Sequence, residues 1–147
     1  RVMLDENELL SPYGVRSLSA AHRDKPVDHL IAGQRFEAHY APGESDTDLF
    51  GGNSNWRGPV WMPVNLMLYN ALLRLGAYYG DAFTVECPTG SGRHMNLIDV
   101  AHELAERLIS TFELDAQGRR PVFGGMEKFQ SEKVNMDGTP LQTVVKI

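Results

Sequence analysis

Two stretches of the chain carry hydrophobic patterns long enough to define helices, and they differ in how the apolar positions are distributed. Over Val60 to Tyr79, Leu66, Met67, Leu68, Leu72, Leu73 and Leu75 favour a helix over a strand. Pro63 fits the first turn, where its missing N–H is not needed, and Gly76 and Gly80 offer stops. Apolar residues run nearly all round this segment, interrupted mainly by Asn65, Asn70 and Arg74. A helix of that kind must be covered on every side. Over Leu97 to Phe112 the pattern is one-sided. Leu97, Ala101, Leu104 and Leu108 recur at helical spacing beside Ile98, Ala105, Ile109 and Phe112. Asp99, His102, Glu103, Glu106 and Arg107 take the opposite face, Asn96 fits the N-cap, and Glu103 and Arg107 are four apart in the favourable order.

A fully wrapped helix followed by a half-wet one is an inner–outer pair, the unit that repeats in α/α toroids. The rest is less regular. Residues 1–56 are punctuated by Gly and Pro, with a turn at Ser11-Pro12-Tyr13-Gly14 and a short helix expected over Val15 to His22. Asp81 to His94 reads as a Gly/Thr/Pro-rich loop, and Leu141 to Ile147 would suit a strand. Two helices and long loops cannot enclose an all-round apolar helix. Its remaining partners must come from another part of a longer chain or from another subunit.

Composition narrows the function classes. At 42% hydrophobic and 22% charged, the chain is globular rather than disordered. A formal charge of -5 without a dense Lys/Arg stripe argues against nucleic acid as a partner. No run is long enough to span a bilayer, so no membrane partner is expected, and no secretory h-region opens the sequence. The single cysteine, Cys87, cannot close an internal disulfide, which points to a reducing, cytoplasmic setting. A first residue of Arg1 rather than Met suggests a processed chain or a fragment.

Candidate chemistry concentrates between residues 40 and 63. In LFGGNSNWRGPVWMP, Leu49 to Pro63, two glycines permit tight turns, Asn53, Ser54 and Asn55 supply donors and acceptors, and Trp56 and Trp61 flank Arg57. Aromatic faces beside a guanidinium suit a polyhydroxylated sugar. Buried aromatics mostly just pack, so composition alone favours a structural loop in which Arg57 caps carbonyls. The preceding YAPGESDTD holds Glu44, Asp46 and Asp48. Residues two apart in a loop rarely face each other across a scissile bond, so Asp46 and Asp48 read as solvated or capping groups, and Glu44 is the best of the three for a substrate hydroxyl. Asp5, Glu6 and Glu8 read as a solvated charge run. CPTGSG, Cys87 to Gly92, lacks the Gly-Lys-Ser/Thr ending of a phosphate loop. The five histidines show no metal-ligand spacing, and no metal or cofactor is expected. In FGGMEKFQ, Phe123 to Gln130, Glu127 reads as a surface carboxylate between turns.

Four blocks in order, DENELLSPYGVRSLS (Asp5 to Ser19), YAPGES with LFGGNSNWRGPVWMPVN (Tyr40 to Asn65), VECPTGSG (Val85 to Gly92) and GRRPVFGGMEKFQ (Gly118 to Gln130), resemble the C-terminal catalytic domain of glycoside hydrolase family 63. The likeness is to its bacterial glucosidase and mannosylglycerate hydrolase-like branch. It implies an all-α fold, here a partial (α/α)6 toroid with long irregular loops. Residues 1–130 would form part of that domain and residues 131–147 a divergent tail. It implies inverting hydrolysis of α-glucosides or related glycosides. The family's general acid lies upstream of the segment matching Asp5 to Ser19, and its general base downstream of GGMEKFQ, so no catalytic residue is expected in this chain. Carried over as substrate-binding are Trp56, Arg57 and Trp61, with Asn55 beside them and Glu44 and Tyr13 on neighbouring loops. Arg57 would bond substrate hydroxyls or orient a catalytic carboxylate. The reading is thus a hydrolase fragment inactive alone, with a carbohydrate substrate. The alternative is a non-catalytic carbohydrate-binding or interaction module.

Overall fold

Both expected helices form, and three short hairpins form within the stretches read as irregular. The computed structural model describes residues 1–43, 46–48, 52 and 54–130. Helix α1 is Met62–Tyr79 and helix α2 is Leu97–Ser110. Pro63 lies in the first turn of α1, and Gly80, at φ 71°, ends it with its N–H bonded to the Gly76 carbonyl. The Asp99 N–H donates to Asn96 Oδ1 at 2.9 Å, so Asn96 caps α2 as expected, and Arg107 Nε meets Glu103 Oε1 at 2.9 Å.

The all-α expectation, and the partial toroid with it, is overturned. Three two-stranded antiparallel sheets accompany the helices: β1 (Leu10–Ser11) with β2 (Gly14–Val15), β3 (Val27–Ile31) with β4 (Gln34–Ala38), and β5 (Thr84–Glu86) with β6 (His94–Asn96). The fold is mixed α and β. Tight-turn chemistry is the physical reason. Ile31 pairs with Gln34, which leaves Ala32 and Gly33 as a two-residue loop. Both take positive φ, 50° and 78°. That handedness matches the twist of the strands it joins. The helix expected over Val15 to His22 is also absent. Arg16 bridges Val60, the Ser17 N–H donates to the Pro59 carbonyl, and only Ala20–Arg23 winds into a 3-10 turn, capped by Ser19 Oγ. The strand expected at Leu141 to Ile147 lies outside the described residues.

Ala32 bears a strain that the sequence can relieve. A Cβ at positive φ costs about 1 kcal/mol, and asparagine tolerates that region better. Ala32→Asn is therefore expected to strengthen the β3–β4 hairpin by several tenths of a kcal/mol. Slower hydrogen exchange at the hairpin amides checks this; unchanged or faster exchange contradicts it.

Two units make up the chain, Arg1–Ile109 and Ser110–Ile147. The first holds the apolar core: Leu4, Leu10, Val15, Leu72, Cys87, Leu97, Val100, Ala101 and Leu104. Helix α2 supplies Leu97, Val100, Ala101 and Leu104, one stripe at helical spacing. Helix α1 buries a narrower stripe, Asn65, Leu72 and Gly76. A Cβ on Gly76 would come within 2.6 Å of Ile98 Cγ1, so glycine there lets α1 approach the start of α2. Among the described residues the side of α1 away from that stripe is bare: Leu66 and Leu75 are exposed, and Met67 and Tyr78 are 71% and 81% exposed.

The N-terminal acids are not simply solvated. Glu6 pairs with Arg107 at 2.8 Å, Glu8 accepts from Ser19 Oγ, and Asp5 Oδ1 accepts the Asn7 N–H. The CPTGSG loop joins β5 to β6 and is sewn to the N-terminal segment by Thr89, whose N–H and Oγ1 donate to the Leu4 and Arg1 carbonyls. The N–H groups of Gly90 and Gly92 are turned onto the Glu86 carboxylate and hold it below the usual carboxylate range. The loop's donors therefore serve an internal anion. In the second unit Gln130 pairs with the main chain of Arg120, its Oε1 accepting and its Nε2 donating. Among the described residues no helix is long and apolar enough to cross a membrane.

Candidate functional site

The block from Tyr40 to Pro63 is positioned by main-chain and hydroxyl contacts on two sides. The Ala41 N–H donates to the Arg57 carbonyl at 2.8 Å. Ser17 Oγ donates to the Asn55 carbonyl at 2.7 Å and accepts the Gly58 N–H at 3.0 Å. Gly58 sits at φ 119°, and a Cβ there would lie 2.3 Å from the Tyr40 ring, so this glycine of the WRG run is required by both conformation and space. The Tyr40 ring in turn carries the guanidinium groups of Arg16 and Arg23, at 5.7 and 5.0 Å from its centroid.

Asn65, in the first turns of α1, ties this block to the first hairpin. It is fully buried. Its Oδ1 accepts the Val15 N–H at 2.8 Å, and its Nδ2 donates to the carbonyls of Val15 and Trp61, each at 2.9 Å. The side-chain amide thereby pairs with Val15 as a neighbouring strand would.

On that frame the 3-10 turn Ser54–Arg57 carries Trp56, and Trp61 stands at the N-cap of α1. Trp56 and Trp61 meet edge to face, with centroids 4.5 Å apart and planes at 60°. Trp61 is half-buried, and its Nε1–H donates to the Asn55 carbonyl at 2.8 Å. Trp56 remains 56% exposed. One ring is therefore locked and supports another that faces water. Asn55 serves the pair through its main chain.

Arg57, next in the chain after Trp56, is 1% exposed. Its Nη1 lies 2.7 Å from Asp46 Oδ1, and its Nη2 donates to Thr47 Oγ1. Asp46 Oδ2 is 2.8 Å from His39 Nε2. The hydrogen bond from His39, and less so that from Arg57, holds the Asp46 carboxyl below the usual carboxylate range. Arg57 is thus engaged with a carboxylate and a hydroxyl and is shielded from solvent.

Of the expected site residues, the structure brings Asn55, Trp56, Arg57 and Trp61 together. Tyr13 is carried by the β1–β2 turn, whose Gly14 lies against Val60 and Asn65. Glu44 lies outside the described residues, as does Asn53. Sequence reasoning missed Asp46, His39 and Asn65 as parts of this arrangement. A buried arginine needs an anion, but Glu44, Asp46 and Asp48 are equivalent by that criterion until the loop is folded. Asn65 is a polar residue inside an apolar helix, and such a residue survives burial only when its amide is satisfied. Cys87, also buried, packs in the core, where burial pushes its thiol pKa up. No group of three or more His, Cys, Asp or Glu side chains capable of holding a metal ion occurs among the described residues.

Comparison with known proteins places the chain in a family. Residues 2–125 match the family model of the mannosylglycerate hydrolase MGH1-like glycoside hydrolase domain. An uncharacterized protein of Saccharomyces cerevisiae is 49% identical over 130 residues, which is 88% of this chain and 12% of that protein. A probable mannosyl-oligosaccharide glucosidase of Schizosaccharomyces pombe is 31% identical over 72 residues, 49% of this chain and 6% of its own length. The chain therefore spans a small part of both relatives. No solved structure matches it significantly. With the family model covering most of its length, the chain belongs to the mannosylglycerate hydrolase MGH1-like glycoside hydrolase domain family.

Proposed function

We propose that this chain is a fragment of an inverting glycoside hydrolase acting on α-glucosides or related glycosides, and that it contributes one wall of the sugar site. The observation that carries the reading is the Trp56–Trp61 pair, one ring locked and the other exposed, in a chain of glycoside hydrolase family membership. Stacking on the apolar face of a sugar ring is what such a platform can do. The S. pombe relative, described as a probable glucosidase, supports a glucosyl substrate. An inverting reaction needs an acid and a base about 6.5–9.5 Å apart with a water between them. In this reading both belong to other segments, in keeping with the 12% of the yeast relative that the chain spans. Arg57 is then a positioning group rather than a ligand contact, because its guanidinium is buried against Asp46 and Thr47. The bare side of α1 is covered in the working protein by those other segments or by another subunit. A reducing, cytoplasmic setting suits the lone buried thiol of Cys87.

Purified chain is expected to release nothing from p-nitrophenyl α-glucoside, yet to bind methyl α-glucoside. Trp56→Ala is expected to weaken that binding about tenfold. Turnover by the purified chain, abolished in Glu127→Gln, overturns the assignment of acid and base to other segments. A purely carbohydrate-binding module would bind as well. Co-expression with the flanking segments of the yeast relative separates the two, because only a hydrolase part regains turnover.

A further inference from the structure

The ion pair between Arg57 and Asp46 is lopsided. Arg57 is buried, whereas the Asp46 side chain that it holds keeps 55% of its surface in water. The buried guanidinium needs an anion, but that need is met by one carboxylate oxygen and does not require the other edge to face water. Water screens the exposed partner, while the guanidinium has already given up its hydration. Asp46 is fixed from a second side as well, with His39 Nε2 2.8 Å from one oxygen and Arg57 Nη1 2.7 Å from the other. A carboxylate held on both oxygens cannot swing away, and its exposed edge still offers acceptor positions. Arg57 directly follows Trp56 in one four-residue turn, so the fixed carboxylate and the exposed indole are tied to the same short segment.

We propose that Asp46 accepts a hydrogen bond from a hydroxyl of an uncharged glycoside, and that Arg57 and His39 are positioning residues acting through it. The proposal rests on the sugar-site reading above. Its chemistry is that of a charge-assisted O–H···O⁻ bond, roughly twice as strong as a neutral one. Because the acceptor is orientated before the ligand arrives, little side-chain freedom is lost on binding. A hydroxyl is the matching donor, and a carboxylated sugar presenting its own anion at this point would be repelled.

The probes are methyl α-glucoside and its three monodeoxy analogues at the secondary ring hydroxyls, titrated into the full chain and into Asp46→Asn. Asp46→Asn keeps the shape and removes the charge. It is expected to weaken methyl α-glucoside binding about tenfold or more, while one deoxy analogue binds the two proteins alike. His39→Ala is expected to weaken binding of the parent sugar, and His39→Gln, which retains a donor, to recover most of it. A role confined to folding would give neither the analogue-specific loss nor the rescue. Unchanged affinity in Asp46→Asn, with binding still lost in Trp56→Ala, overturns this assignment and leaves the sugar site standing. An equal loss for the parent and every analogue also overturns it. Absence of binding by the wild-type chain overturns the assignment together with the site.

Discussion

Asn65→Leu is expected to lower the stability of the first unit by about 3 kcal/mol, a large fraction of what a small domain has. The size follows from which groups are left behind. Asn65 satisfies both the N–H and the carbonyl of Val15, and Val15 is itself buried. Leucine supplies neither partner, and each orphaned buried group costs about 1–3 kcal/mol. The Trp61 carbonyl is less affected, because it also accepts the Asn65 main-chain N–H at 3.0 Å. Asn65→Asp separates hydrogen bonding from shape. An ionised aspartate still accepts from Val15 but turns an oxygen toward two carbonyls, whereas the protonated acid restores a donor. Its folded-state pKa is therefore raised, so the variant is expected to gain stability as pH falls toward the ordinary carboxylate pKa near 4 and to lose it as pH rises. Urea denaturation across that range checks both variants. A loss under about 1 kcal/mol in Asn65→Leu, or a flat pH profile in Asn65→Asp, removes Asn65 from its role.

The second large effect concerns the bare side of α1. Leu66, Met67 and Tyr78 are exposed. Each apolar side chain of this size is worth about 1.5 kcal/mol or more when taken out of water. The purified chain is expected to self-associate through this side and to bind a hydrophobic dye. Leu66→Lys, Met67→Glu and Tyr78→Lys combined should leave the circular dichroism unchanged, since none of the three is in the core, and weaken association on the order of a hundredfold or more. Sedimentation across a concentration series reads this directly. A wild-type chain that stays monomeric at high concentration and excludes the dye shows that this side needs no cover.

The two helices were legible because periodicity over fourteen or more residues averages out local exceptions. The same logic explains the failure elsewhere. A hairpin of five-residue strands rests on its turn, and Ala32-Gly33 is a weak turn signal because alanine rarely accepts positive φ. Strands two or three residues long, such as β1 and β5, leave no periodicity to read. The apolar girdle of α1 was visible in sequence. Which side this chain covers was not, because that depends on where Gly76 meets Ile98 and Asn65 meets Val15. At the site, Trp56, Arg57 and Trp61 stood out by residue type. Arg57's choice of Asp46, and the recruitment of His39 behind it, is a product of folding that spacing does not encode.

The most direct measurement is the pair of tryptophan indole N–H signals in a nitrogen-15 correlation spectrum during titration with methyl α-glucoside. The Trp56 signal should shift and saturate, while that of Trp61, held by the Asn55 carbonyl, moves much less. If the Trp56 signal stays in place at saturating sugar, this face does not contact a glycoside and the account fails.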